Sequence, residues 1–159
     1  MGNKFYLTEY SESHTQFSEL FSFFEKTEKS FIPPISERRQ LSEYIEKLLL
    51  EANILLAKEL KSDKIIGIAA YYCTPGSFDY AFLTYIAKHT TIKGVGTALV
   101  KKMIEDCHFK GMSGIETQTW ESNLISLGLF KKNGFKVKEL LDNRDGVERS
   151  VLLQLSFND

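Results

Sequence analysis

The chain has 159 residues, of which 43% are hydrophobic and 26% charged, and its formal net charge is −1. This composition is typical of a globular protein and excludes collagen-like, linker-like and largely disordered classes. The longest apolar run, residues 65–73, is too short for a transmembrane helix, which needs roughly 20 apolar residues. The mixed, polar N-terminal region does not resemble a signal peptide. We therefore expect residues 1–159 to form a single cytoplasmic domain without membrane contact.

Hydrophobic spacing in the first half of the chain predicts a weak strand, two amphipathic helices and a β-hairpin. These elements are expected over residues 5–8, 17–24, 41–49, 54–60 and 64–74. The segment Phe31-Ile32-Pro33-Pro34 separates the two helices, because proline does not continue a helical pattern. Ser36 lies in the expected N-cap region of the second helix.

The second half alternates strand and helix patterns before it ends in an antiparallel pair. Strands are expected over residues 80–88, 115–120, 135–140 and 149–156, and helices over residues 95–107 and 123–132. Strand-helix-strand units need parallel crossovers, whereas hairpins need antiparallel neighbours. The order β-α-α-β-β-β-α-β-α-β-β therefore predicts a mixed α/β fold, in which helices flank one sheet.

The segment Lys93-Gly94-Val95-Gly96-Thr97 connects a predicted strand to a predicted helix. Glycine lets the backbone approach a ligand closely, and the free N–H groups of a first helical turn attract phosphate. The segment is too short for the dinucleotide fingerprint and lacks the Gly-Lys-Ser/Thr of a nucleotide-triphosphate loop, so neither NAD nor ATP is favoured. A tight turn without a ligand is the alternative.

The charge distribution favours an anionic ligand near this turn. Residues 88–138 contain nine lysines and four acidic residues, a net charge of +5, so the rest of the chain carries −6. A ligand with several phosphates would be attracted to such a basic region. Some of these lysines are also expected on ordinary solvated faces.

Two sequence blocks resemble the GNAT superfamily of N-acetyltransferases. Residues 85–99, YIAKHTTIKGVGTAL, are similar to its acetyl-CoA motif, a strand followed by Gln/Arg-x-x-Gly-x-Gly/Ala. Residues 123–135, NLISLGLFKKNGF, are similar to the family pattern of an Asn and a helix ending in aromatic-x-x-x-Gly-Phe. The resemblance implies a mostly antiparallel sheet of about seven strands, with a splayed fourth and fifth strand, and about four flanking helices.

The resemblance also implies that acetyl-CoA is the co-substrate and that no metal takes part. The pantetheine arm would pair with the main chain of the fourth strand, the pyrophosphate would lie on the glycine turn, and Phe130 would lie near the thioester sulfur. The implied CoA-binding residues are Ile86, Ala87, Lys88, Lys93, Gly94, Val95, Gly96, Thr97, Asn123, Phe130 and Lys132. Thr91 and Lys88 depart from the usual residues of the motif, but neither departure removes a backbone donor.

Two other departures concern proton transfer. Phe130 stands where many members carry a Tyr that protonates the leaving thiolate, and Gln118 stands where some carry a Glu base. Glu116 shares the face of Gln118 on a strand, so it is the first candidate base, with a solvent-facing structural carboxylate as the alternative.

The remaining candidate catalytic groups lie on or before the fourth strand. Asp79 and Tyr85 are the next candidate bases after Glu116 in order of preference. Main-chain N–H groups near Ile86 and Ala87 would stabilise the oxyanion. The resemblance thus implies direct transfer of an acetyl group from acetyl-CoA to a primary amine. A non-catalytic acyl-CoA sensor on the same fold is the alternative function.

The acceptor is expected to be a small-molecule or peptide amine. The two N-terminal helices and the 31–34 connection are its expected wall, with a contribution from Tyr71 or Tyr72. Nucleic-acid binding is not expected, because the overall charge is not basic and interleaved stacking aromatics are lacking. The closing hairpin offers a surface for a second copy, so a homodimer is slightly favoured over a monomer.

The cysteines and histidines give no strong signal of chemistry. Cys73 and Cys107 are too few for a disulfide framework and are expected to be small buried residues, with a catalytic thiol as the alternative. The three histidines are scattered and lack paired cysteines, so no zinc site is expected.

Overall fold

The computed structural model describes residues 4–31, 33–142 and 148–158. Its α-helices are α1 (Phe17–Thr27), α2 (Leu41–Glu51), α3 (Val95–Phe109) and α4 (Leu124–Lys132). Short 3-10 helices span Glu28–Ser30 and Ile35–Glu37. The strands are β1 (Phe5–Glu9), β2 (Asn53–Glu59), β3 (Ile65–Tyr72), β4 (Tyr80–Lys88), β5 (Gly114–Trp120), β6 (Lys136–Leu141) and β7 (Ser150–Ser156).

Within the described residues, seven strands form one sheet in the order β1-β2-β3-β4-β5-β7-β6. The pairs β1–β2, β5–β7 and β6–β7 are antiparallel, whereas β4–β5 is parallel. The parallel register joins Tyr80–Leu83 to Gly114–Thr117, which are the first four residues of each strand. The predicted element order and the mixed, mostly antiparallel sheet with four flanking α-helices are confirmed.

The chain divides into two compact units. One comprises residues up to Ala70 together with Tyr85–Leu99, and the other comprises Tyr71–Thr84 together with residues from Val100 onwards. The prediction of a single domain over residues 1–159 stays a prediction. None of the helices in the described ranges combines the length and hydropathy of a membrane span.

In the first unit, the two N-terminal α-helices each bury one apolar stripe, as their spacing predicts. Leu20 and Phe24 of α1 and Ile45 of α2 are completely buried. Strand β2 is buried along most of its length, because both of its faces are covered. Apolar burial therefore determines how these local elements pack.

The predicted N-cap region at Ser36 is wrong. Helix α2 begins after Gln40, and Ser36 lies in the 3-10 helix Ile35–Glu37 instead. The backbone N–H of Ser36 donates a hydrogen bond to the Glu28 carboxylate oxygen Oε1 at 2.9 Å. A tertiary contact with a buried carboxylate thus competes with the local capping signal.

Helix α3 begins against the sheet at a glycine of β3. A Cβ atom on Gly67 would lie 2.6 Å from Val95 Cγ1, 3.2 Å from Leu99 Cδ1 and 3.3 Å from the Ala57 Cβ. Val95 and Leu99 are both completely buried. The missing side chain at residue 67 lets the first turns of α3 approach the strands closely.

In the second unit, strand β5 pairs with β7 along its whole length, and β6 pairs with β7 through a register shift between Val137 and Glu139. Cys73 and Cys107 are free thiols, the first half-buried and the second buried. Burial raises the pKa of both thiols. Cys107 is therefore buried as expected, whereas Cys73 is only half-buried.

We expect Gly67→Ala to lower the free energy of unfolding by about 1–3 kcal/mol, because the added methyl group overpacks the contact with α3. Urea denaturation followed by circular dichroism measures this change. The control is Gly128→Ala in α4, where an added Cβ meets nothing within 4 Å. The control should gain about 0.5–1 kcal/mol from better helix propensity. If Gly67→Ala were as stable as the unsubstituted protein, the contact between β3 and α3 at residue 67 would have room for a methyl group.

Candidate active site

The end of β4 and the start of α3 present main-chain groups in succession. Ile86 and Ala87 are half-buried, and Lys88 is exposed at the end of the strand. In the connection, Ile92 N–H donates to Thr90 Oγ1 at 3.0 Å, which orders the loop ahead of the glycine turn. The strand therefore leads directly into the turn at the head of the helix.

Gly94 has a φ of +89°, a conformation that favours glycine. The N–H of Ala98 donates to the Gly94 carbonyl oxygen at 3.0 Å. The N–H groups of Val95, Gly96 and Thr97 precede this bond in the first helical turn, where backbone donors ordinarily lack an intrahelical acceptor. A Cβ on Gly94 would meet nothing within 4 Å, so the space beside the turn is open. This donor set, with exposed Lys93 beside it, suits a phosphate group.

Four residues from α1, the following connection and α2 surround the Tyr85 side chain of β4. We call this set, formed by Phe24, Thr27, Phe31, Tyr44 and Tyr85, the Tyr85 cluster. The Tyr85 ring lies 4.6 Å from both the Phe24 and Phe31 ring centroids, and the Phe31 ring is stacked on it at 12°. The ring centroids of Tyr44 and Tyr85 are 6.4 Å apart. The cluster joins both N-terminal helices to β4.

The Tyr85 hydroxyl is engaged inside this cluster. It lies 2.7 Å from Thr27 Oγ1, which in turn donates to the Phe23 carbonyl oxygen at 3.0 Å. Burial raises the pKa of Tyr85 above its ordinary value, and the hydrogen bond with Thr27 opposes this effect only in part. The hydroxyl therefore stays protonated at neutral pH, which argues against its use as a base. The assignment of Tyr85 as a catalytic residue stays a prediction.

Glu116 lies in the middle of β5, opposite Gln154 of β7. Its Oε2 accepts hydrogen bonds from Lys138 Nζ at 3.0 Å and from Gln154 Nε2 at 2.8 Å. Gln118, two residues further on, is exposed. The structure thus provides an ion-pair partner for the first candidate base, whose catalytic role stays a prediction.

Three further sequence-predicted residues lie on or next to α4. Asn123 is the N-cap of this helix, because its Oδ1 accepts from Ser126 N–H at 3.2 Å. Its Nδ2 donates to Thr119 Oγ1 and to Ser126 Oγ. Phe130 is 1% exposed and packs against Phe135, with ring centroids 5.4 Å apart, whereas Lys132 is exposed. Their assignment to CoA binding stays a prediction.

The remaining candidates lie elsewhere in the described chain. Tyr71 is buried, and its hydroxyl donates to Asp106 Oδ2 at 2.5 Å, so its polar atom is already engaged. Burial also raises the pKa of Tyr71. Asp79 is exposed, and its main-chain carbonyl accepts from Ser113 N–H. Ile32, which belongs to the predicted acceptor wall, lies outside the described residues.

Glu28, directly after α1, is a candidate that sequence reasoning missed. It is 1% exposed, and its Oε2 has no hydrogen-bond partner among the described residues. No motif marks this residue, because a glutamate near a helix end is ordinarily solvated. Among the described residues, no group of three or more His, Cys, Asp or Glu side chains is placed to hold a metal ion.

Comparison with known proteins identifies the family of this fold. The family model described as the acetyltransferase (GNAT) family matches residues 17–135, which include β4, the glycine turn and α4. The chain belongs to the GNAT acetyltransferase family. This result confirms the resemblance seen in the two sequence blocks.

Individual relatives are distant in sequence. The uncharacterized protein YxbD of Bacillus subtilis (strain 168) is 26% identical over 81 residues, which are 51% of this chain and 49% of YxbD. The chain thus spans about half the length of this curated relative.

Solved structures share the GNAT fold over nearly the whole chain. A GNAT family acetyltransferase from Elizabethkingia anophelis, with acetyl-CoA bound, is 19% identical with a TM-score of 0.72, covering 98% of this chain and 100% of that chain. The ribosomal-protein-S18-alanine N-acetyltransferase from Escherichia coli is 16% identical with a TM-score of 0.74, covering 96% of this chain and 93% of that chain. At such identities these structures establish the fold alone.

We expect Tyr85→Phe to lower the free energy of unfolding by about 1 kcal/mol, because it removes a buried hydrogen bond. The rate of acetyl transfer should change less than threefold, since a protonated hydroxyl is a poor base. Thr27→Val is the control, because it removes the same hydrogen bond from the other partner, together with the bond from Thr27 to the Phe23 carbonyl oxygen. Thermal denaturation and release of the CoA thiol provide the two readouts. A large loss of rate in Tyr85→Phe alone would assign proton transfer to this hydroxyl.

Proposed function

We propose that this GNAT chain transfers an acetyl group from acetyl-CoA to a primary amine. The observation that carries the proposal is the turn at the head of α3. There Gly94 has a positive φ, the space beside it is open, and three N–H groups precede the first helical hydrogen bond. Membership of the GNAT family and the acetyl-CoA bound to a structural neighbour support the same ligand.

The residues of this segment suit the groups of acetyl-CoA. The N–H groups of residues 93–97 would hold the pyrophosphate, because donors and helix dipole both favour a negative charge there. Main-chain groups of Ile86, Ala87 and Lys88 would pair with the pantetheine arm. Donors near Ile86 and Ala87 would also stabilise the oxyanion that forms during attack on the thioester.

The chemical step needs little acid catalysis. A neutral amine attacks the acetyl carbonyl carbon, the bond to sulfur breaks, and the CoA thiolate leaves, while the nitrogen gives up one proton to a base or to water. A thiol with an ordinary pKa of ~8.5 departs as thiolate at pH 7 at a cost of roughly 2 kcal/mol. Phe130 cannot donate a proton, so we propose that the thiolate leaves without a protein acid. Positioning of the two reactants then supplies most of the rate enhancement.

The identity of the acceptor and the setting of the protein are further expectations of this proposal. The acceptor is expected to be a small-molecule or peptide amine, and neither nucleic acid nor membrane is expected as a partner. A cytoplasmic location and a homodimer also remain predictions.

We expect acetyl-CoA to raise the melting temperature of the protein, because a ligand that binds only the folded state stabilises it. Gly94→Ala should weaken this binding about tenfold or more, since an L-residue at positive φ costs about 1–2 kcal/mol and the turn will distort to relieve it. Differential scanning fluorimetry over a range of acetyl-CoA concentrations measures both effects.

The matched control for Gly94→Ala is Gly76→Ala, in the turn between β3 and β4. Gly76 has a φ of +87°, and an added Cβ there also meets nothing within 4 Å. Both substitutions should therefore destabilise the protein similarly, but only Gly94→Ala should reduce the response to acetyl-CoA. An unchanged melting temperature at millimolar acetyl-CoA in the unsubstituted protein would overturn the proposed function.

Glu116→Gln tests the first candidate base. If Glu116 removes the proton of the acceptor, the substitution should lower kcat about 100-fold or more and leave the response to acetyl-CoA intact. Lys138→Gln breaks the same ion pair from the other side, and we expect it to change kcat only a few fold. Release of the CoA thiol across a panel of primary amines gives kcat. If both substitutions change kcat equally and only slightly, Glu116 is part of the ion pair and does not act as the base.

The same panel separates catalysis from sensing. A sensor of acyl-CoA on the GNAT fold would show the rise in melting temperature without thiol release for any amine. Phe130 and Gln118, which replace the usual proton-transfer residues, are the residues that favour a sensor. Thiol release with one class of amine would instead identify the acceptor class.

A further inference from the structure

The Glu28 carboxylate is buried, and only one of its two oxygens accepts a hydrogen bond from a described residue. Glu28 begins the 3-10 helix that follows α1 and is 1% exposed. Its Oε1 accepts a hydrogen bond from Ser36 N–H at 2.9 Å. Its Oε2 is buried and has no hydrogen-bond partner in the described part of the chain. One oxygen thus holds the connection between α1 and α2, and the other lacks a donor.

A buried carboxylate oxygen without a donor is unfavourable and rare in native proteins. The cost disappears when a donor enters, and a positively charged donor makes the strongest bond. The unpaired Oε2 therefore indicates a place for a cationic N–H group.

Glu28 lies between two residues of the Tyr85 cluster. Thr27, which directly precedes Glu28, is hydrogen-bonded to the Tyr85 hydroxyl at 2.7 Å, and the Glu28 carbonyl oxygen accepts from Phe31 N–H at 3.1 Å. Phe31, stacked on Tyr85, follows Glu28 by three residues on the same connection. The faces of such rings attract cations and also accept alkyl groups. A carboxylate beside aromatic rings is a combination that suits an alkylammonium ion.

A ring of the cluster already faces a cation at its outer side. The Arg39 guanidinium carbon lies 5.5 Å from the Tyr44 ring centroid. Phe31 and Tyr44 are half-buried, whereas Phe24 and Tyr85 are buried. Phe31 and Tyr44 therefore form the more exposed side of the cluster.

The cluster also adjoins the main chain assigned to the thioester. Tyr85 directly precedes Ile86, and consecutive Cα atoms are about 3.8 Å apart. The cluster therefore shares its strand with the donors proposed for the oxyanion at Ile86 and Ala87.

We propose that Glu28 Oε2 and the Tyr85 cluster form the acceptor subsite, and that the acceptor is a compact primary alkylammonium ion with an apolar stem. This inference rests on the proposed acetyl transfer, whose acceptor it specifies. Glu28 binds the ammonium group, and the rings bind the stem. The ammonium nitrogen must release one proton, to water or to a base, before it can attack the thioester. A negatively charged group on the acceptor is disfavoured, because it would lie near the Glu28 carboxylate.

The test compares n-butylammonium chloride with 1-butanol, which has the same stem without the charge. Dissociation constants are measured by ligand-observed NMR on the full chain, with and without CoA. We expect the unsubstituted protein to prefer butylammonium at least about tenfold, as for a hydrogen bond to a charged partner. Glu28→Gln should remove this preference, because it keeps the shape of the side chain and loses the charge.

The matched control is Glu37→Gln, which removes the same charge from an exposed residue of the neighbouring 3-10 helix. It should keep the preference for butylammonium. Equal binding of the two ligands by the unsubstituted protein, or an unchanged preference in folded Glu28→Gln, would overturn the subsite. If Glu28→Gln does not fold, Phe31→Leu takes its place and should weaken butylammonium binding more than butanol binding, and equal weakening would overturn the subsite.

The outcome is distinguishable from failure of the proposed function. A missing preference for butylammonium, with the acetyl-CoA response of the melting temperature present, overturns the subsite alone. A missing acetyl-CoA response overturns the proposed function, whatever the preference between the two butyl ligands.

Discussion

The close packing of the first turns of α3 on β2 and β3 is the contact on which the glycine turn depends. Gly67 leaves the space that Val95 and Leu99 occupy, so the head of the helix is held against the strands. The positive φ of Gly94 then turns the chain from β4 into α3. Because the helix cannot shift without exposing buried side chains, its free N–H groups point from a rigid position. Rigid donors are what a phosphate site requires.

The Tyr85 cluster couples the N-terminal helices to the same strand that leads into the glycine turn. Its rings supply apolar contact, while Thr27 and Tyr85 satisfy each other's hydroxyl groups inside it. Glu28 lies at the edge of this cluster and satisfies only one of its oxygens. The packing that stabilises the helices therefore also buries the Glu28 carboxylate. In the proposed acceptor subsite, this carboxylate favours a cation.

Parts of the site were predictable because they depend on local backbone geometry. A strand, two glycines and an amphipathic helix in succession indicate a turn with free donors, and the structure has this turn at Gly94. The N-cap predicted at Ser36 was wrong, because the Glu28 carboxylate binds the Ser36 backbone N–H from eight residues away and α2 begins only after Gln40. Glu116 was predictable as a strand residue beside Gln118, but its ion pair with Lys138 depends on the register of β6 with β7.

The sequence by itself determined the order of the elements, the mixed sheet, the glycine turn and membership of the GNAT family. These features depend on hydrophobic period, on turn residues and on short motifs, all of which lie close together along the chain. Only the tertiary structure decided that Glu28 is buried with one oxygen that no described residue pairs, and that Tyr85 is enclosed by Phe24 and Phe31. Burial and pairing depend on residues brought together from distant parts of the chain, and local patterns carry no record of those contacts.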